Sequence, residues 1–193
     1  GADIDVNKLV SNLRFDYIAD NLDTLLKHGA DINIDKLVSR SDPKDIAYNL
    51  DTLLNHGADI NSAVRKMGSS DIIKNLDYLL EHGADINNAV SNMGSDYVAK
   101  NLDFLLNHSA DINNVVRKMD RYDIAKNLDY LLEHGADIDV NKLVSNMNSS
   151  CITNVNSLLK HGADANNVVS KMDHYDIAKN LDTLLNHGAD ANN

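Results

Sequence analysis

The chain has 193 residues, 43% of them hydrophobic, with 18 basic against 29 acidic side chains and a net charge of −11. It has no run of lysine and arginine of the kind that neutralises phosphates, which argues against nucleic acid as a partner. No stretch reaches the ~18 consecutive apolar residues of a membrane span. The start carries no secretion-signal pattern, and the single cysteine, Cys151, leaves no internal disulfide to form; an intracellular, cytoplasmic protein is expected.

One phrase recurs along the chain, as in Asn-Leu-Asp-Tyr-Leu-Leu-Glu-His-Gly-Ala-Asp-Ile at 127–138. Cutting after its histidine gives units 1–28, 29–56, 57–82, 83–108, 109–134, 135–161 and 162–187, with 188–193 beginning an eighth. The first two have 28 residues, the sixth has 27 and the others 26. A period of this size marks a single repeat array over 1–193. So small a unit buries no core alone, and neighbours must stack.

Within each unit the apolar spacing predicts two helices. In the fifth, Ile112, Val115, Val116 and Met119 fall at i, i+3, i+4 and i+7, the spacing of one buried stripe. Residues 120–122 are predicted to turn the chain; the same place holds Gly68-Ser69-Ser70 in the third unit and Pro43 in the second. Ile124, Leu128, Leu131 and Leu132 form the second stripe. A glycine follows the histidine (Gly29, Gly57, Gly83, Gly135, Gly162, Gly188), placed to end the helix in the left-handed conformation. Ser109 is the exception and should be strained there. Two residues on, Asp31, Asp59, Asp85, Asp111, Asp137 and Asp164 are placed to cap the following helix. Extra residues in the longer units, such as Asp139-Val140, are expected to lengthen the first helix by half a turn.

Through Asn-Leu-Asp-x-Leu-Leu-x-His-Gly-Ala-Asp-Ile-Asn, the chain resembles the ankyrin-repeat family over nearly its whole length. An ankyrin unit is ~33 residues long. Its opening Thr-Pro-Leu-His turn is absent from every unit, and after Gly-Ala-Asp-Ile-Asn no room remains for its β-hairpin finger. In repeat length and near-identity of copies the chain is also similar to tandem-repeat proteins of large DNA viruses. The resemblance implies an all-α fold: an α-solenoid of stacked two-helix repeats, ankyrin-like without β-hairpin fingers. It implies a non-enzymatic scaffold for protein–protein interaction through a concave helical face, with no cofactor. The alternative is a self-assembling structural protein that stacks head-to-tail through uncapped array ends, giving a homo-oligomer.

Several columns carry chemistry-bearing side chains. A histidine ends every unit: His28, His56, His82, His108, His134, His161 and His187. Ligands of one zinc each lie ~2 Å from it, whereas stacked units separate equivalent atoms by about 10 Å. Neighbouring copies therefore share no metal, and an interaction with the helix C-terminus is expected. Eight histidines gaining a proton each would move the net charge from −11 to −3, favouring self-association in mild acid. Asn21, Asn49, Asn75, Asn101, Asn127, Asn154 and Asn180 occupy a mid-helix column where asparagine is unfavourable; their amides are expected to bond loop backbone of an adjacent unit. Met67, Met93, Met119, Met147 and Met172 close the first helix as core fillers, and Cys151 takes the Ile124 column as a small buried hydrophobe.

Asp-Ile-Asp-Val-Asn at 3–7 and 137–141 starts like a calcium loop but lacks its later glycine and glutamate. Asn148-Ser149-Ser150 is read as a chance glycosylation sequon. Lys74, Lys100, Lys126 and Lys179 each precede an aspartate by three residues, as on a solvated charged face. The candidate partner surface is the column Tyr78, Phe104 and Tyr130, aromatic in the middle units, with Thr24, Thr52, Ser157 and Thr183 elsewhere. Arg65, Ser91 and Arg117 on the exposed side of the first helix join it. Asn75, Asn101, Asn127, Asp85, Asp111, Asp137, Gly83 and Gly135 are expected to be structural.

Overall fold

The computed structural model describes residues 5–190. Those residues form short α-helices and one 3-10 turn, with no strand. The fold is all-α, built of repeats whose helices pack on those of sequence neighbours.

Each regular unit has three helices where the apolar spacing predicted two. In the fifth they are Ile112–Lys118, Arg121–Lys126 and Leu128–Glu133. The predicted second helix is divided at Asn127, whose φ of −106° and ψ of 15° depart from α-helical values near −63° and −42°. The same break falls at Asn21, Asn49, Asn75, Asn101 and Asn180, each at φ between −103° and −117°. The predicted turn at 120–122 is shorter than expected. Met119 and Asp120 are extended, and Arg121 already begins a helix capped by Asp120, whose carboxylate accepts the Asp123 N–H at 2.8 Å. Likewise Pro43 and Ser69 are first helical residues, not turn residues; proline suits that place because the N–H it lacks would have no partner there.

The sixth unit departs from the pattern. After Val140–Ser145 comes a 3-10 turn, Ser149–Cys151, and then Val155–Lys160. Ile152 is buried there and Cys151 only half-buried, so the isoleucine next door takes the core place expected of the cysteine. Asn154 does not break a helix but caps one, accepting the Ser157 N–H at 3.3 Å.

Packing divides the chain into two compact halves, Gly1–Met93 and Gly94–Asn193, and the division falls inside the fourth unit. In the first half the helices Ile34–Arg40, Ile60–Lys66 and Ile86–Asn92 stack in succession, burying Leu37, Val38, Ala63, Val64, Ala89 and Val90 between them. Leu50, Leu53, Leu76 and Leu79 of the third helices complete this core. In the second half Ala125, Leu128, Val144, Leu158 and Val168, from three successive units, share one cluster. A fully buried leucine or valine contributes about 1.5–3 kcal/mol. Helices of five to seven residues lie far below the ~12 needed to persist alone, so this inter-unit burial is what holds them.

The unit boundary is a left-handed residue. Gly135 sits at φ 82° and the other column glycines between 85° and 88°. Space is not the reason for glycine, since a Cβ at Gly135 would meet nothing within 4 Å; the positive φ is. Ser109 adopts φ 66° in the same place, as the column predicts, and is the only non-glycine residue with positive φ among those described. Met67, Met93, Met119 and Met147 are buried at the ends of their first helices, while Met172 packs half-buried against the core.

Candidate functional site

Two polar columns join backbone to backbone where units meet. The first is the expected aspartate cap. Asp59, Asp85, Asp111 and Asp164 accept the N–H of Ser62, Asn87, Asn114 and Asn167 at 2.6 to 2.9 Å. The expectation fails at Asp31 and Asp137. In those longer units the cap moves to Asn33 and Asp139, which accept the N–H of Lys36 and Lys142 at 2.8 and 2.9 Å. The extra residues therefore lengthen the loop, and Val140–Ser145 is no longer than its counterparts. Asp5 and Asp139, oxygens of the calcium-like phrase, are thereby engaged as caps; the Asp3 copy lies outside the described residues.

The second column was not legible in the sequence. The second residue of the first helix is Asn7, Asn61, Asn87, Asn113, Asn141 or Asn166, with Asp35 in the second unit. The bonds of Asn7, Asn61, Asn113, Asn141 and Asn166 are alike. Each of these asparagines accepts, through Oδ1, the backbone N–H of the aspartate that follows the next glycine. The pairs are Asp31, Asp85, Asp137, Asp164 and Asp190, at 2.7 to 2.9 Å. The inter-unit ladder expected of asparagine thus exists, at a different column.

The mid-helix asparagines act within their own units instead. The Nδ2 of Asn75, Asn101 and Asn127 donates to the carbonyl four residues back, Asp71, Tyr97 and Asp123, at 2.7 to 2.8 Å. At Asn75 and Asn127 that carbonyl also accepts the asparagine's own N–H, at 3.1 Å, so the side chain adds a second donor at the break. Only Asn49 adds a link to the preceding unit, to Asp20 Oδ1 at 2.8 Å. Between the fourth and fifth units Ser95 supplies another: its hydroxyl donates to Asp123 Oδ2 and accepts the Asp120 N–H, at 2.8 and 2.7 Å.

Four aspartates of Leu-Asp, Asp23, Asp51, Asp103 and Asp129, are engaged by the unit that follows, in one of two ways. Where that unit carries tyrosine, the phenol faces the aspartate: the neighbouring Asp51, with burial, pushes the Tyr78 hydroxyl up to about 12, and Asp103, with burial, raises that of Tyr130. Where it carries threonine or serine, the histidine takes the aspartate. His56 Nε2 lies 2.6 Å from Asp23 Oδ1, and His161 Nε2 lies 2.6 Å from Asp129 Oδ1. The bond from His161, with smaller help from Lys160, holds the Asp129 carboxyl below the usual carboxylate range.

Tyr78 stacks on His82 and Tyr130 on His134 with centroids 4.0 Å apart, and Phe104 lies 4.4 Å from His108. In each of these histidines Nδ1 bonds the carbonyl four residues back, at 2.8 Å. The expected bond to the helix-end carbonyls is present there and in His187, but His56 and His161 reach to the neighbouring unit instead.

The structure places the candidate binding residues in two groups. Tyr78, Phe104 and Tyr130 are half-buried and engaged as just described. Asn101, Phe104, Asn127 and Tyr130 come together with Lys100 and Asp103 around an open cleft of about 370 Å³. Lys100 pairs with Asp96, four residues before it on its own helix, at 3.6 Å; the break at Asn101 separates it from the expected Asp103. Arg65, Ser91 and Arg117 are exposed on the first helices. Their polar atoms fold back locally, with Arg65 donating to the Ser62 hydroxyl at 2.7 Å and Ser91 to the Asn87 carbonyl at 2.7 Å. Exposed aromatics lie elsewhere, at Tyr17, Tyr48, Tyr97, Tyr122 and Tyr175 on the second helices. Sequence reasoning passed over them because they share no single register.

Among the described residues no three histidine, cysteine, aspartate or glutamate side chains stand together as a metal-binding group, and no helix is long and apolar enough to cross a membrane. No family model, no curated protein and no solved structure matches the chain.

Proposed function

We propose that this chain is a non-enzymatic repeat scaffold that binds protein partners inside the cell, through the outward helical surface of its stacked units, and that it is an ankyrin-like array of reduced repeat length. The observation that carries the proposal is how its polar columns divide. Those that recur, such as Asp111, Asn113, Asn127 and Asp129, are occupied with backbone or with a neighbouring unit. Those that vary between units, Arg65, Ser91 and Arg117, are exposed on the first helices and bond side chains or backbone of their own helix. A catalytic centre gathers unlike groups at one place, whereas a recognition surface is a frame held constant while its outer side chains change. Tyr78, Phe104 and Tyr130, half-buried on the third helices, are the aromatic anchors of the proposed surface.

Affinity capture with three baits tests the proposal: the native chain, an Arg65→Glu/Arg117→Glu variant, and a Tyr78→Ala/Phe104→Ala/Tyr130→Ala variant. Partners captured by the native chain should be lost from the arginine variant with its helicity unchanged. Identical capture by all three baits overturns this surface assignment.

A further inference from the structure

A groove of about 400 Å³ lies at the seam between the first and second units, within the ~300–1,000 Å³ usual for ligand clefts. Both of its walls belong to units that pack on one another. Val10, Leu13, Phe15 and Ile18 come from the first, Ile32 and Leu37 from the second. Ile18 and Leu37 are buried and form the floor. Leu13 stands in the column of Met67, Met93 and Met119 but, unlike them, is only half-buried. The second unit also brings a wall that the 26-residue units lack, because its lengthened loop places Ile32 and Asn33 in the lining.

Beside this apolar floor stands a cationic pair. Lys36 and Arg40 lie one turn apart on the helix Ile34–Arg40, and both are exposed and line the groove. The Arg40 guanidinium lies over the Phe15 ring, 5.4 Å from its centroid. That contact holds the group in place and leaves its N–H fork for a carboxylate. Among the described residues neither cation pairs with an acid, although the chain holds 29 acidic against 18 basic side chains. Arg14, by contrast, is closed on Asp16 at 2.7 Å. Asp31 is the acidic residue in the lining, set against two cations. We propose that the groove takes an extended segment of a partner protein in which an apolar side chain, entering between Leu13, Phe15 and Leu37, sits next to an aspartate or glutamate that meets Arg40 and Lys36. The apolar anchor supplies contact area, and the charge-assisted bond beside it selects the acid. The site uses none of Arg65, Ser91, Arg117 or the Tyr78 column; it rests only on the reading that the chain binds protein.

Panning a phage-displayed library of random heptapeptides against the 193-residue chain tests this, followed by fluorescence anisotropy of the selected peptides. Those peptides should place aspartate or glutamate beside leucine, isoleucine, methionine or phenylalanine. Lys36→Glu/Arg40→Glu should weaken their binding about tenfold or more, because like charges then face each other. Lys8→Glu/Lys44→Glu makes an equal change of net charge at exposed sites outside the lining, and should alter binding less than about twofold, since solvent and salt screen it. Circular dichroism checks the folding of each variant. If Lys36→Glu/Arg40→Glu unfolds, Arg40→Gln carries the comparison, with a loss of about threefold or more. Selection of no peptide, selection of peptides without an acidic residue, or equal weakening by both charge variants overturns the inference. Those failures leave the affinity capture through Arg65 and Arg117 standing, so the two proposals fail separately.

Discussion

Replacing Asn113 by alanine removes the acceptor that Asn113 Oδ1 offers the Asp137 N–H at 2.8 Å. The bond is short and joins two units, but its surroundings are open enough for water to replace it partly. A loss of about 1 kcal/mol is therefore expected, within the usual range of ~0.5–1.5 for such a bond. Bonds of this kind recur at Asn7, Asn61, Asn141 and Asn166, so at about 1 kcal/mol each the column is a sizeable share of a domain's stability. Asn113→Asp keeps an acceptor oxygen in place and should cost only a few tenths of a kcal/mol. Urea unfolding followed by circular dichroism measures both losses, and amide exchange at Asp137 locates them. Alanine should shift the midpoint with little change in slope and speed exchange at Asp137. If aspartate costs as much as alanine, or exchange at Asp137 is unchanged by alanine, the hydrogen bond is not what the asparagine contributes.

Four further outcomes follow from the geometry. Ser109→Gly should stabilise by about 1 kcal/mol, because Ser109 sits at φ 66° where a Cβ is strained; a melting comparison showing no gain refutes that. Asp139→Ala should cost about 1 kcal/mol as a lost helix cap, while Asp137→Ala stays within ±0.5, which urea midpoints separate. Tyr78 should ionise near pH 12, so its contribution to stability is present below pH 10 and disappears as pH rises through 12. Absorbance at tyrosinate wavelengths, compared with Tyr78→Phe, follows this directly. Asp129, held below its ordinary value of 3.8, contributes stability that is complete above that value and fades as pH falls through its lowered pKa. Asp129→Asn should flatten the acid limb of the unfolding curve.

What the sequence disclosed were features that depend on a residue and its near neighbours along the chain. The positive φ at Ser109 follows from a column otherwise filled by glycine, and the cap at Asp111 from its place before an apolar stripe. The break at Asn127 left the apolar spacing intact. Leu128, Leu131 and Ile124 remain buried whether the segment is one helix or two, so periodicity alone could not reveal it. The Asn113 bond depends on where stacking places Asp137, 24 residues away, and local pattern is silent on that. Asp137 and Asp139 were indistinguishable as caps until the loop between them was seen to absorb the insertion. Of the candidate surface, the exposure of Arg65 and Arg117 was legible from the helical wheel, but the stacking of Tyr130 on His134 was not.

The two ways of clasping the Leu-Asp aspartate make the array tolerant of drift. Where the column is threonine or serine, as at Thr52 and Ser157, the imidazole of the same unit reaches the aspartate that a tyrosine reaches elsewhere. Mutation at that column can therefore alter what the molecule displays outwardly while successive copies stay fastened. A lineage of such arrays can diversify its exteriors by single substitutions and by duplication, without first having to rebuild the joints.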